Sequence, residues 1–137
     1  MSAVCNKFKA IIQAEYHKVD KKLEKYNLVK GQASLLSVIK QNDGATQTEL
    51  AEYFGLTNPT MGERINKLEI LGYIIRIVDE NNLRCKRVFI TPEGKKAAVQ
   101  CNKILNEFEE NLFKGFTKKE KKQLDDCLEK MIKNITK

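Results

Sequence analysis

The sequence predicts a mainly α-helical fold with one small β-hairpin. Three observations carry that expectation. Apolar residues recur at steps of three and four along most of the 137 residues. Two helix-start signals, at Thr46 and around Thr57 to Pro59, stand on either side of Gly55. Two short β-prone runs, 73–78 and 87–91, flank the polar stretch DENNLRCK.

The elements follow in order. Val4, Phe8, Ile12, Tyr16, Val19, Leu23 and Tyr26 mark a long amphipathic helix over 3–26. A shorter helix over 28–40 offers Leu28, Leu35, Leu36 and Ile39 for burial, and Gln41-Asn42-Asp43-Gly44 makes a turn. Thr46-x-x-Glu49 is a capping box, in which each side chain can satisfy a free backbone N–H of the first turn. Leu50, Ala51 and Phe54 form that helix's apolar face, and Gly55 ends it where a positive φ is cheap. Thr57 or Asn58 caps the next helix, with Pro59 in its first turn. Met61, Ile65 and Leu68 follow at helical spacing until Leu71-Gly72. After the hairpin, Thr91-Pro92-Glu93 opens a helix whose stripe is Ala97, Cys101, Ile104, Leu105, Phe108 and Leu112. A second capping box, Thr117-x-x-Glu120, starts the last helix, marked by Leu124, Leu128, Met131 and Ile135.

Composition narrows the function classes. With 42 % apolar and 31 % charged residues, the chain can bury a real core as one domain. The longest apolar run, 70–78, is broken by Gly72 and Arg76, far short of the roughly 20 residues that span a bilayer. The N-terminus lacks a signal core with a cleavage site, so a cytoplasmic location and no membrane partner are expected. Cys5, Cys85, Cys101 and Cys127 are too dispersed for C-x-x-C motifs, and His17 is the single histidine, so neither a metal nor a cofactor is expected. No nucleophile–base pair or Gly-rich phosphate loop suggests an enzyme.

The formal charge of +7 suits a polyanion, but its distribution does not locate the surface. Segment 46–94 holds 6 basic and 7 acidic groups, so the excess lies on the flanking helices. Arginine placement says more. All four arginines (Arg64, Arg76, Arg84, Arg87) fall within 24 residues, against 21 lysines spread along the chain. Their planar fork suits phosphate oxygens and guanine edges, although clustered arginines also serve as internal salt-bridge partners.

The spacing of small Ala51, turn Gly55, apolar Leu56 and apolar Met61 is that of a helix–turn–helix, whose second helix can lie in a major groove. A hairpin directly afterwards makes it a winged helix. LAEYFGLTNPTMGERINKLEILGYIIRI, then VDENNLRCKRVFITPEGKK, resembles the winged helix of the MarR family of bacterial and archaeal transcription regulators. The resemblance extends over almost the whole chain, since QASLLSVI is similar to that family's second helix. It implies a winged helix–turn–helix lobe at 28–94 between long dimerisation helices at 1–27 and 95–137, in a single domain over 1–137. It also implies a homodimer on a pseudo-palindromic operator in double-stranded DNA, acting as a repressor that responds to a small ligand.

Positions matching the family's DNA-contacting residues are Thr57, Asn58, Thr60, Gly62, Glu63, Asn66 and Lys67. Thr46 and Thr48 at the preceding helix start, and Arg84, Lys86 and Arg87 in the wing, complete the candidate interface. Alternation in a hairpin forbids all three wing cations from facing one way. The family usually has arginine where Glu63 stands and an apolar residue where Arg64 stands; Arg64 reaches DNA or pairs with an acidic neighbour. In the wing, the family's D-x-R-x-x-R becomes Asp79 to Arg84 with Asn81 in the middle, and an Asp79–Arg84 pair is expected to brace the loop. Tyr16, Tyr26 and Phe108 are candidates for lining an aromatic ligand site of the family's kind. Two other readings stand beside this one: a thiol-based redox sensor using Cys5, and a winged helix that binds protein rather than DNA.

Overall fold

A computed structural model describes residues 1–136. The helices are α1 (Ala3–Glu15), α2 (Lys21–Leu23), α3 (Lys30–Gln41), α4 (Gln47–Phe54), α5 (Asn58–Ile70), α6 (Pro92–Leu112) and α7 (Lys118–Ile135). Strands β1 (Ile74–Val78) and β2 (Lys86–Ile90) form an antiparallel hairpin between α5 and α6. The mainly helical fold with one hairpin is therefore as predicted. Two compact units divide the chain, Met1–Leu105 and a second that begins at Asn106.

The N-terminal helical run over 3–26 is not uniform. A π-helical turn, Tyr16–Asp20, separates α1 from α2, and a 3₁₀ turn, Glu24–Tyr26, follows. Successive apolar steps of four from Val4 to Tyr16 overshoot an α-helical turn by about 40° each. A wider turn takes up that excess, and Val19 and Leu23 beyond it are buried. Asn27 then takes a left-handed φ of 60° and ends the run. The next helix consequently begins at Lys30 and not at 28. Leu28 is buried ahead of it, Gln32 Oε1 accepts from Val29 N–H at 3.1 Å, and Asp20 Oδ1 accepts from Lys30 N–H at 2.8 Å.

The core of the first unit gathers Val19, Leu23, Leu35, Leu36, Ile39, Leu50, Met61, Ile65, Leu68, Ile74 and Val88, all nearly or wholly buried. These are the stripes read from the sequence, and they converge. Small residues on α6, Ala97, Ala98 and Cys101, close the same core. In contrast, neither α1 nor α7 buries a residue. The two capping boxes differ. Thr117 and Glu120 satisfy each other's backbone N–H reciprocally. At α4, Thr46 Oγ1 accepts from Glu49 N–H, but the Glu49 carboxylate accepts the Thr46 hydroxyl proton instead of its backbone N–H.

The hairpin is pinned along the edge of β2 and at its open end. Gly44 N–H donates to Val88 O and Val88 N–H to Ala45 O, each at 2.9 Å, so the 43–46 turn covers the outer edge of β2. Asp43 Oδ1 accepts from Ile90 N–H at 2.8 Å. At the open end, Thr91 N–H and hydroxyl donate to Tyr73 O and Gly72 O. There the backbones approach so closely that a Cβ on Gly94 would lie 2.0 Å from Tyr73 O and 2.8 Å from Ile90 Cγ1. That explains the glycine of the TPEGKK segment. Gly94→Ala is expected to lower the unfolding free energy by about 1–3 kcal/mol, measured by urea denaturation, because the clash is with backbone and cannot rotate away.

Candidate nucleic-acid interface

The helix–turn–helix is built from local signals. Gly55 takes φ 65° between α4 and α5, and Leu56 N–H donates back to Ala51 O. Thr57, not Asn58, caps α5: its Oγ1 accepts from Thr60 N–H, and its hydroxyl donates to Thr60 Oγ1 at 2.9 Å. Burial of Met61, Ile65 and Leu68 leaves Glu63, Asn66 and Lys67 exposed on the outer side of α5. Gly62 makes room for a neighbour, since a Cβ there would meet Gln47 Nε2 at 3.1 Å. Gln47 in turn donates to Asn58 O at 3.3 Å, joining the starts of α4 and α5.

Between those two helix starts and the hairpin lies a cleft of about 280 Å³, lined by Gln47, Thr48, Asn58, Arg76, Arg84, Cys85 and Lys86. Three of these are cations and none is a carboxylate. Thr48, Asn58, Arg84 and Lys86 are residues the sequence points to; Gln47 and Arg76 are additions from the structure. Strand register brings Arg76 there. Ile74 pairs with Ile90 and Val78 with Lys86, so side chains of 74, 76, 78, 86, 88 and 90 share one face. Arg76 and Lys86 are thus on the same side of the hairpin, and Arg87 is on the other.

On that other side, Arg87 is tied into the fold. Its Nη2 pairs with Asp79 Oδ2 at 3.1 Å, and its Nη1 donates to Gly44 O at 2.8 Å. The expected Asp79–Arg84 brace is therefore replaced by Asp79–Arg87. Asp79 and Arg87 have the same parity in the hairpin, whereas Arg84 sits in the loop, where its backbone N–H donates to Asn82 Oδ1. Asp79 also accepts from Asn81 N–H, which shapes the loop tip.

Arg76 is the centre of a second network. It donates to Asn66 Oδ1 and, at 3.0 Å, to Glu69 Oε1. The hydrogen bond from Arg76 holds the Glu69 carboxyl below its ordinary value, against an opposing push from burial. Stability from this pair is present above the ordinary carboxylate range and is lost as pH falls through the lowered value.

The remaining candidates lie elsewhere. Thr46 is buried, its hydroxyl taken by the cap and its backbone bridged to Arg87. Arg64 is exposed and runs beside the start of α3, with Nη1 3.8 Å from the Cβ position of Gly31. Tyr16 is exposed and edge-on to His17; Tyr26 is half-buried, and its carbonyl accepts from Tyr73 Oη at 2.8 Å; Phe108 is half-buried on α6. Burial pushes the Cys101 thiol up to about 11, which keeps it protonated, while Cys5 and Cys85 are half-buried.

The two wing arginines should separate in a stability measurement. Arg87→Ala leaves a carboxylate with only 14 % side-chain exposure without its cation and should cost about 1–2 kcal/mol in urea unfolding. Arg84→Ala should stay within about 0.5 kcal/mol of the parent.

Comparison with known proteins identifies the family. The sequence model of the MarR family matches residues 28–86. The uncharacterized HTH-type transcriptional regulator YybA of Bacillus subtilis (strain 168) is 34 % identical over 109 residues, spanning 80 % of this chain and 73 % of that protein. Among solved structures, a MarR transcriptional regulator from Methanosarcina mazei Go1 has a TM-score of 0.77 at 30 % identity, covering 96 % of this chain and 94 % of its own. The S. aureus MepR–DNA complex has a TM-score of 0.82 at 28 % identity, covering 94 % of each chain. With its helix–turn–helix, its wing and relatives that match over most of both lengths, the chain belongs to the MarR family of winged-helix transcription regulators.

Proposed function

We propose that the chain binds a pseudo-palindromic operator in double-stranded DNA as a homodimer, and that it acts as a repressor. The observation that carries the DNA reading is the cleft beside the start of α5. Arg84 and Lys86 line it together with Thr48 and Asn58, and no carboxylate intrudes. In this reading α5 enters a major groove with Asn66 and Lys67 outward, while the cleft grips the phosphate strand at the groove's edge. The related S. aureus MepR structure is a DNA complex, which supports DNA binding by this chain.

The dimer reading is carried by helices that bury nothing within the chain. On α7, Leu124, Leu128, Met131, Ile132 and Ile135 are exposed, and on α1 so are Val4, Ile11 and Ile12. A second copy covers such faces at low cost and sets two recognition helices on successive major grooves. Release of DNA by a small aromatic ligand belongs to the same proposal through family membership, with Tyr16 and Tyr26 as its candidate contacts on the first unit. A peroxide switch through Cys5 is not part of it.

The test is a gel shift on the promoter beside the chain's own gene, with light scattering on the same sample. A mass of two chains and retardation of that promoter are expected; a monomer at micromolar concentration, or no retardation, refutes the respective half. Arg84→Ala should weaken binding to all duplexes and reduce the salt slope by about one unit for each phosphate that its guanidinium neutralises. If affinity and slope are unchanged, the wing does not touch DNA.

A further inference from the structure

We infer that Arg76 fixes Asn66 as a donor-only reader, so that the operator position beneath it is guanine rather than adenine. This rests on the DNA-binding reading above and goes beyond it, since it assigns a base preference and a residue that sets it. Arg76 reaches from β1 to α5, where Nη2 donates to both Asn66 Oδ1 and Glu69 Oε1, and Nε faces Glu69 Oε2 at 3.4 Å. Its side chain is only 16 % exposed, and Glu69, one turn further along α5, holds the guanidinium through both Nε and Nη2. A guanidinium has donors and no acceptor. The amide atom that meets it must therefore be the oxygen, which leaves the nitrogen of the exposed Asn66 side chain to face a base.

Asparagine in a major groove ordinarily reads adenine with both amide atoms, accepting from N6 and donating to N7. Here the oxygen is already engaged by a cation. Its second lone pair stands next to that positive charge, which repels the hydrogens of an adenine N6 amine. The free amide N–H groups remain, and guanine offers them two acceptors, N7 and O6. Glu69 keeps the arrangement in place by accepting from Arg76 through both carboxylate oxygens, a contact that lowers its own pKa. Without Arg76, Asn66 would regain both atoms and the ordinary preference for adenine.

The experiment is selection of bound duplexes from a randomised operator library, followed by sequencing, for the parent, Asn66→Ala, Arg76→Met and Arg76→Lys. Asn66→Ala should flatten one position in each half-site. At that position the parent should enrich guanine over adenine by roughly tenfold, within the range expected of one polar base contact. Arg76→Met should reverse the preference towards adenine, and Arg76→Lys, with a single point donor in place of the fork, should fall between. The parent and Asn66→Ala alone decide the central point, so misfolding of an Arg76 variant does not rescue it. Adenine at the Asn66-dependent position, guanine retained in a folded Arg76→Met, or no position affected by Asn66→Ala would each overturn the inference while leaving DNA binding intact. A parent that enriches no duplex would overturn the DNA-binding reading itself, and this inference with it.

Discussion

The pairing of Ile74 with Ile90 sets everything that the wing can present. Side chains of a strand alternate between faces, so a slip of one residue would exchange Arg76 and Lys86 for Ile75, Ile77 and Arg87. The register is held from three directions. Ile74, Val88 and Ile90 are buried on one face, and the 43–46 turn is hydrogen-bonded to the edge of β2. The third hold is the close approach of Gly94 to the backbone of Tyr73, which any side chain at 94 would push apart. Residues far from the cleft thus decide which cations stand in it. The link from packing to function runs through backbone parity.

Much of this architecture is legible in the sequence because its signals are local. A capping threonine, a left-handed glycine and an apolar step of three or four each act within one or two turns. They place the helix–turn–helix and the two long C-terminal helices correctly. What stays hidden depends on register or on a non-local partner. The Asp79–Arg84 pairing follows from a motif read along the chain; the hairpin instead brings Asp79 to Arg87 across it. Counting parity from the paired strands finds this, but the sequence leaves their ends uncertain by one residue. Arg76 is legible only as a member of the arginine cluster and a break in an apolar run, because its cross-strand neighbours are unknown in the sequence. The π-helical turn has a visible trace, three successive steps of four, that a uniform helix cannot keep on one face.

Segment charge is a poor guide, and the structure explains why. Residues 46–94 are slightly acidic in sum, yet several of their carboxylates are paired within the fold and none lines the cleft. Asp79 is turned to Arg87, Glu69 to Arg76, and Glu49 to the Thr46 hydroxyl. A cation-lined cleft can therefore exist in a region without net positive charge. The field at a surface follows from which charges are cancelled locally, and a sum over residues discards that information.

The concentration of arginine in this stretch then acquires two meanings. Arg87 bridges a carboxylate and a backbone carbonyl, and Arg76 bridges a carboxylate and an amide, so both use the breadth of the guanidinium fork to join elements of the fold. A lysine in either place would supply the same charge at one point and leave one partner unmatched. Arg84, in contrast, offers its side chain to the cleft from a loop. The internal use of arginine and its use towards an anion are thus not rival explanations of the cluster. Bridging by Arg87 ties the wing to the turn before α4, bridging by Arg76 ties the hairpin to α5, and the two together hold Arg84 and Lys86 at a defined distance from the recognition helix.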